Sequence, residues 1–133
     1  MLVETAVLKG GHSWRVRAVA LSADGMIASA SSDKSICVWD KSRILHKLLG
    51  HTGEVHSVVF SGSHLVSAGS DKSIRVWDAA SGGEALHVID AAHRSEVSAL
   101  ASSSSPATRI VSGSADKCVK LWSMDDAGVL AER

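Results

Sequence analysis

The chain has 133 residues, of which 45% are hydrophobic and 21% charged, and its 14 basic and 14 acidic residues cancel. This length is sufficient for one folded domain with a buried core. Because the net charge is zero, we expect a soluble globular protein that binds neither nucleic acid nor a membrane surface.

The ends and the cysteines indicate where the chain works. The apolar run at the N-terminus is short and interrupted by Glu4, which argues against a signal peptide. No stretch reaches the roughly 18 apolar residues of a membrane helix. Cys37 and Cys118 form no C-x-x-C pair and indicate neither a metal site nor a disulfide framework. We therefore expect a cytoplasmic or nuclear protein, and the sequence predicts no cofactor.

Short segments in which apolar and polar residues alternate follow one another along the chain. The strands predicted in this way cover residues 15–22, 26–31, 35–39, 43–49, 54–61, 64–70, 73–77, 84–90, 96–103, 109–114 and 118–122. Turn-forming residues separate them, and the one proline, Pro106, falls in the predicted loop 102–108. No amphipathic segment has the length of a helix, so the sequence predicts an all-β fold.

A nine-residue segment occurs three times, as SDKSICVWD at 32–40, SDKSIRVWD at 70–78 and ADKCVKLWS at 115–123. Each Trp follows a Ser by ten residues and an Asp by six, and a His lies further upstream in each copy. The recurring residues are His12, Ser29, Asp33 and Trp39; His51, Ser67, Asp71 and Trp77; and His93, Ser112, Asp116 and Trp122. The chain therefore consists of three repeats with a period near 40 residues.

A Gly-His pair at the front and a Trp-Asp pair at the back of each period resemble the WD40 repeat family. The third copy departs from this pattern with Ala-His and Trp-Ser, but it keeps His93 and Trp122. The resemblance covers residues 5–132, with repeats at about 10–48, 49–89 and 91–132. It implies four-stranded antiparallel blades of a β-propeller, of which this chain would hold three.

Ser, His and Asp are also the components of a hydrolase triad, so each repeat raises an enzymatic alternative. The sequence contains no G-x-S-x-G segment, and three equivalent sets are unusual for one active site. A Trp N–H, a Ser hydroxyl, an imidazole and a carboxylate are able to form a hydrogen-bonded chain. The family resemblance implies that each set is such a structural tetrad, so we expect neither catalytic residues nor enzymatic activity.

Trp14 lies outside the three sets, at the start of the first inner strand, where the other repeats have smaller residues. In WD40-like folds this junction lies on the face most used for partner contacts, which makes Trp14 a candidate anchor. The alternative is that it packs over a neighbouring loop. Beside it, Arg15 aligns with Glu54 and Glu96, so the charge at this position reverses between repeats.

Lys34, Lys72 and Lys117 follow the repeated Asp in every copy. If the three turns share one face, the lysines form an arc that would hold an acidic or phosphorylated peptide segment. The alternative is a solvated turn that recurs because the whole repeat recurs. The sequence leaves both interpretations open.

Three blades are fewer than the four to eight of a propeller, in which each blade buries its faces against neighbours. We therefore expect either part of a longer propeller or one half of a head-to-tail homodimer with six blades. Residues 5–9 (TAVLK) resemble the outer strand of a preceding blade. Residues 129–132 (VLAE) are predicted to supply the outer strand of the third blade.

The resemblance implies a non-catalytic protein–protein interaction scaffold that acts as a platform in an intracellular complex. Its partners would be other proteins or peptides. Two alternatives stay open. One is a substrate receptor or adaptor of the ubiquitin-ligase type that reads an acidic or phosphorylated peptide, and the other is a Ser-His-Asp hydrolase.

Overall fold

Strands make up the regular structure of this computed structural model, which describes residues 1–41, 43–104 and 107–133. Within those residues there are twelve strands and no helix. Their bounds are β1 Val16–Leu21, β2 Met26–Ser31, β3 Ile36–Asp40, β4 Arg43–Leu48, β5 Val55–Ser61, β6 His64–Gly69, β7 Ile74–Asp78, β8 His87–Ile89, β9 Val97–Ser103, β10 Arg109–Ser114, β11 Val119–Met124 and β12 Leu130–Glu132. The all-β prediction is confirmed.

The strands of the described residues form three four-stranded antiparallel sheets, each a meander in chain order. Strands β1–β4 make the first sheet, β5–β8 the second and β9–β12 the third, and we call these sheets blades. The last strand, β12, pairs with β11 with Leu130 opposite Met124. The prediction of three four-stranded antiparallel units is therefore confirmed.

Three predicted segments differ in detail. The second blade's outer strand is shorter than the predicted 84–90 and covers His87–Ile89, after a turn in which Gly82 and Gly83 take positive φ. Residues 5–9 form no strand and lie mostly exposed, since a strand needs a neighbour to pair with. The predicted loop 102–108 begins later, because strand β9 ends at Ser103, as predicted for the strand at 96–103. Pro106 lies outside the described residues.

The blades pack side by side in chain order, with β5 between β1 and β9. Apolar side chains on the facing sides form two separate cores. The core between blades one and two contains Ala28, Ala30, Ile36, Val38, Leu48, Val55, Val58, Leu65, Trp77 and Ala79. The core between blades two and three contains Val66, Ala68, Ile74, Val76, Ala92, Val97, Ile110, Trp122, Met124 and Leu130. Each blade is thus stabilised by burial against its neighbour.

The turn between the second and third strands of each blade has one conformation. Lys34, Lys72 and Lys117 take φ values of 73°, 67° and 74°. The carboxylate of the Asp before each lysine accepts the backbone N–H of the residue after it, at 3.0 Å for Asp71 and Ser73. The left-handed conformation costs a non-glycine residue about 1–2 kcal/mol, whereas glycine adopts it freely.

We expect Lys72→Gly to raise the free energy of unfolding by about 0.5–1 kcal/mol. Glycine removes the left-handed strain, and its greater freedom in the unfolded chain offsets only part of the gain. Urea denaturation followed by circular dichroism measures the change. Lys72→Ala is the matched control, because it removes the same charge and keeps a Cβ atom. A Lys72→Gly variant no more stable than Lys72→Ala would contradict this explanation of the turn.

Candidate functional site

In the second blade, the four recurring residues form a continuous hydrogen-bonded chain. The indole Nε1–H of Trp77 donates to Ser67 Oγ at 2.8 Å. Ser67 Oγ lies 2.7 Å from His51 Nε2, and His51 Nδ1 lies 2.8 Å from Asp71 Oδ2. An ionised carboxylate only accepts, so Nδ1 of the imidazole carries the proton, and its Nε2 accepts the Ser67 hydroxyl.

The other two blades repeat the arrangement within a few tenths of an ångström. The distances in the first blade are 2.9 Å from Trp39 Nε1 to Ser29 Oγ, 2.7 Å from Ser29 Oγ to His12 Nε2 and 3.1 Å from His12 Nδ1 to Asp33 Oδ2. Those in the third blade are 2.9 Å from Trp122 Nε1 to Ser112 Oγ, 2.7 Å from Ser112 Oγ to His93 Nε2 and 2.9 Å from His93 Nδ1 to Asp116 Oδ2. The structure thus brings together all twelve recurring residues as three tetrads.

The tetrads join distant parts of each blade. Besides His51, the Asp71 carboxylate accepts the backbone N–H of Thr52 and that of Ser73. The chain of hydrogen bonds therefore connects the segment before the inner strand, the second strand, the turn and the third strand. Ser67 lies at its centre and is fully buried.

The hydrogen bonds hold the tetrad carboxylates in the ionised form. Burial acts to raise the pKa of Asp71, but hydrogen bonds from His51 and Ser73 outweigh it and hold this pKa well below the ordinary value of 3.8. The pKa values of Asp33 and Asp116 are lowered by the same balance, in which burial is opposed by hydrogen bonds from neighbouring backbone and side-chain donors.

The residues predicted to bind a partner lie beside these turns. Backbone N–H groups of Ser32, Ser70 and Ala115, in or next to the turns, donate to the carbonyls of Arg15, Glu54 and Glu96, at 3.0, 2.9 and 3.1 Å. Each turn is therefore fixed against the start of the inner strand in its own blade. We call the surface formed by these strand starts and turns the turn face.

One hollow on the turn face, of about 350 Å³, lies between the first and second blades. Trp14, Lys34 and Glu54 line it together with Ser13, Ser32 and Asp33. Trp14 is 70% exposed, so most of its ring is accessible to a partner. This is an unusual degree of exposure for a large aromatic side chain.

A second hollow, of about 510 Å³, spans all three blades. Arg15 and Glu96 line it, as do Arg17, His56 and Ser98, which the sequence interpretation missed. These three lie two residues beyond the aligned charged positions, and the alternation of side chains along a strand was the available signal. His56 Nε2 lies 3.8 Å from Glu96 Oε1, which links the second and third blades.

The structure does not gather the three lysines in one hollow. Lys34 lines the Trp14 hollow, whereas Lys72 and Lys117 are exposed and line neither of the two hollows. The described residues also contain no cluster of three or more His, Cys, Asp or Glu side chains that could hold a metal ion. No helix in the described part of the chain has the length and apolar character to cross a membrane.

The repeats match a known sequence family. The profile described as "WD domain, G-beta repeat" matches residues 3–40, 42–78 and 83–123, which is most of the chain. The chain belongs to the WD40 repeat family. It is also similar to the U5 small nuclear ribonucleoprotein 40 kDa protein of Pongo abelii, with 52% identity over 42 residues, or 29% of this chain. The match spans 12% of that relative's length.

As a WD40 protein, the chain carries one matched repeat for each blade. The first two matches end with the third strand of a blade and the third match ends one residue before the end of β11, so the outer strand β4 lies wholly in the second match and β8 wholly in the third. The second and third repeats thus begin on one blade and end on the next, which connects adjacent blades covalently. The tetrads lie within these matched segments.

We expect Ser67→Ala to lower the free energy of unfolding by about 1–3 kcal/mol. The substitution leaves the Trp77 N–H and the His51 Nε2 buried without their partner. Urea denaturation measures the loss, and Ser98→Ala, at an exposed hydroxyl, is the control, expected to change stability by less than about 0.5 kcal/mol. Equal effects of the two substitutions would contradict a structural role for the tetrad hydroxyl.

Acid should weaken the fold through the tetrad carboxylates. The folded-state pKa of Asp71 lies below its unfolded value, so the unfolded chain binds more protons between the two values. The stability that this group contributes is therefore fully present above the unfolded value of 3.8 and falls as the pH drops towards the folded one. Urea midpoints at a series of pH values from 6 downwards to about 2.5 measure this slope.

Asp71→Asn should lower stability at pH 6 and flatten the acid slope, because one linked carboxyl is gone. Asp126→Asn, at an exposed position, is the control and should keep the wild-type slope. An unchanged slope in Asp71→Asn would contradict the lowered pKa of this group.

Proposed function

We propose that this WD40 protein is a non-catalytic platform that binds other proteins or peptides through its turn face. The observation that carries the proposal is the 70% exposed Trp14, which borders a hollow together with Lys34 and Glu54. An aromatic ring beside a concave surface with charges of both signs is the arrangement of a binding hot spot.

The burial of the tetrad hydroxyls supports a non-catalytic role. Ser67 and Ser112 are fully buried, and Ser29 is 6% exposed, although a serine nucleophile must reach its substrate. Each of these hydroxyls also accepts an indole N–H in addition to contacting the imidazole. The same Ser, His and Asp that would form a triad are thus committed to holding the blade together.

The turn face favours a peptide of mixed charge as its partner. Arg15 and Arg17 are on the first-blade side of the larger hollow, and Glu96 is on the third-blade side. A partner with acidic groups at one end and basic or neutral groups at the other would match this distribution. Nucleic acid matches it less well, because the acidic side chain repels phosphates.

A second candidate function is a substrate receptor for acidic or phosphorylated peptides, such as an adaptor of ubiquitin ligases. The pair of arginines in the larger hollow favours it, because guanidinium groups bind carboxylates and phosphates in a bidentate manner. In this version Arg15 and Arg17 replace the lysine arc, since Lys72 and Lys117 lie outside the hollow.

We further propose that the platform works in a nuclear assembly, with the cytoplasm as the alternative compartment. The similar relative is named as a protein of a small nuclear ribonucleoprotein, and the matched segment is 52% identical to this chain. Imaging of the tagged chain, compared with its fractionation between nuclear and cytoplasmic extracts, distinguishes the two locations.

We expect Trp14→Ala to weaken partner binding by about tenfold or more, because an exposed aromatic anchor loses its buried contact area. Proteins captured from nuclear and cytoplasmic extracts are compared between wild type and variant by quantitative mass spectrometry. The affinity of each partner identified in this way is then measured by calorimetry, with acidic, phosphorylated and uncharged peptides from its sequence.

Leu86→Ala is the control, because Leu86 is a half-exposed apolar residue in the second blade's outer connection. It should leave the captured set and the affinities unchanged. If Trp14→Ala and an Arg15→Ala, Arg17→Ala double variant both retain wild-type affinity for every partner, the turn face is not the binding surface.

A further inference from the structure

The first blade exposes a sheet face that its equivalents bury. Val16 and Val19 of β1 are 52% and 68% exposed. At the same repeat positions in the second blade, Val55 and Val58 are 0% and 3% exposed, and Val97 of the third blade is fully buried. The difference arises because no described blade packs on this side of the first sheet. We call it the leading face.

The leading face is concave and mainly apolar. A groove of about 370 Å³ runs over it between the N-terminal segment and the sheet. Its lining includes Leu8, Val16, Val19, Ile27 and Trp39. In the second blade, the residues equivalent to Ile27 and Trp39 are Leu65 and Trp77, which belong to the buried core against the first blade.

The third blade exposes the complementary sheet face at the other end of the stack. Val119 is 76% exposed, whereas the residues at its repeat position in the other blades, Ile36 and Ile74, are fully buried. Leu121 is partly exposed, and its equivalent in the second blade, Val76, is fully buried. We call this the trailing face.

The two exposed faces are the halves of an interface that the chain already contains twice. Ile36 and Val38 on the trailing side of the first blade share one core with Val55 and Val58 of the second. Ile74 and Val76 of the second blade share the next core with Val97 of the third. Val119 and Leu121 on the trailing face are apolar residues of similar size to those that pack against a leading face in the two existing interfaces. We therefore expect the trailing face to fit against the leading face in the same way.

The polar contact at the inner-strand starts has a counterpart at this junction. In the existing contact between blades two and three, His56 of the earlier blade meets Glu96 of the later one. Ser98 and Arg15 hold the same two repeat positions in the third and first blades. In the same register Ser98 of one copy would face Arg15 of the other, so no like charges meet at this contact and the apolar faces decide the pairing.

We propose that a second copy of this chain covers both faces head to tail. The third blade of each copy packs on the first blade of the other, and the two copies together make a closed ring of six blades. Six lies within the four to eight blades of known propellers, and closure leaves no apolar blade face exposed. This inference concerns assembly and does not rest on the partner-binding role proposed above.

Size-exclusion chromatography with light scattering on the 133-residue chain tests the proposal. The expected mass is that of two chains over a range of micromolar concentrations. Val19→Asp and Val119→Asp should each shift the mass to one chain, because each places a carboxylate inside both junctions. Leu86→Asp, at a half-exposed apolar position in the middle blade, should leave the two-chain mass unchanged.

Mixing the two single variants separates lost pairing from lost folding. An equimolar mixture of Val19→Asp and Val119→Asp retains one unaltered junction, formed by the third blade of the first variant and the first blade of the second. A two-chain species should therefore return in the mixture but in neither variant alone. Failure of the mixture to form it, while both variants unfold cooperatively as single chains, would overturn the proposal.

Three further results would also overturn the closed ring. A wild-type mass of one chain would indicate that these faces are covered by additional blades of a longer polypeptide and not by a second copy. A mass that grows with concentration beyond two chains would indicate an open filament. A two-chain mass that survives both substitutions would indicate a different interface. Trp14 also lines the groove on the leading face, so the mass of Trp14→Ala has to be measured as well. If this variant keeps the two-chain mass but binds partners more weakly, the loss of binding does not result from a loss of assembly.

Discussion

Each blade is held together by a serine hydroxyl that accepts a hydrogen bond from an indole and donates one to an imidazole. In the second blade these contacts measure 2.8 and 2.7 Å around a fully buried Ser67. The imidazole passes the connection to Asp71, whose carboxylate also fixes the turn. The indole of Trp77 extends from this network into the core between the first two blades. The same side chain therefore takes part in the hydrogen bonds within its blade and in the apolar packing against the neighbouring blade.

The surfaces of the molecule follow from this repeat. The tetrads fix the turns against the strand starts, and these turns and strand starts together form a face with two hollows and an exposed Trp14. The same repetition gives every blade a leading and a trailing side, so a stack of three carries one unpaired side at each end. The proposed partner binding and the proposed self-assembly use different surfaces, and Trp14 lines both of them.

The sequence was sufficient to predict most of the strands, the repeat and the twelve recurring residues, because alternation and fixed spacing along the chain encode them. That these residues join as tetrads was implied by the resemblance to the WD40 family. It did not predict which valines are buried. Val16 and Val55 are identical residues at equivalent positions, yet one is 52% exposed and the other 0%, since only a neighbouring blade decides the difference. The alternation of side chains placed Arg17 and His56 beside the aligned charged positions, but the hollow that joins them depends on how separate blades pack.

The central claim is that the tetrad acts as one coupled network, and a double-mutant cycle tests it directly. Trp77 and Asp71 lie at opposite ends of the second tetrad and are linked through Ser67 and His51. Unfolding free energies of wild type, Trp77→Phe, Asp71→Ala and the double variant give the coupling energy. We predict that the double variant loses at least about 0.5 kcal/mol less than the sum of the single losses. Losses that add to within about 0.3 kcal/mol would show that the four residues act independently.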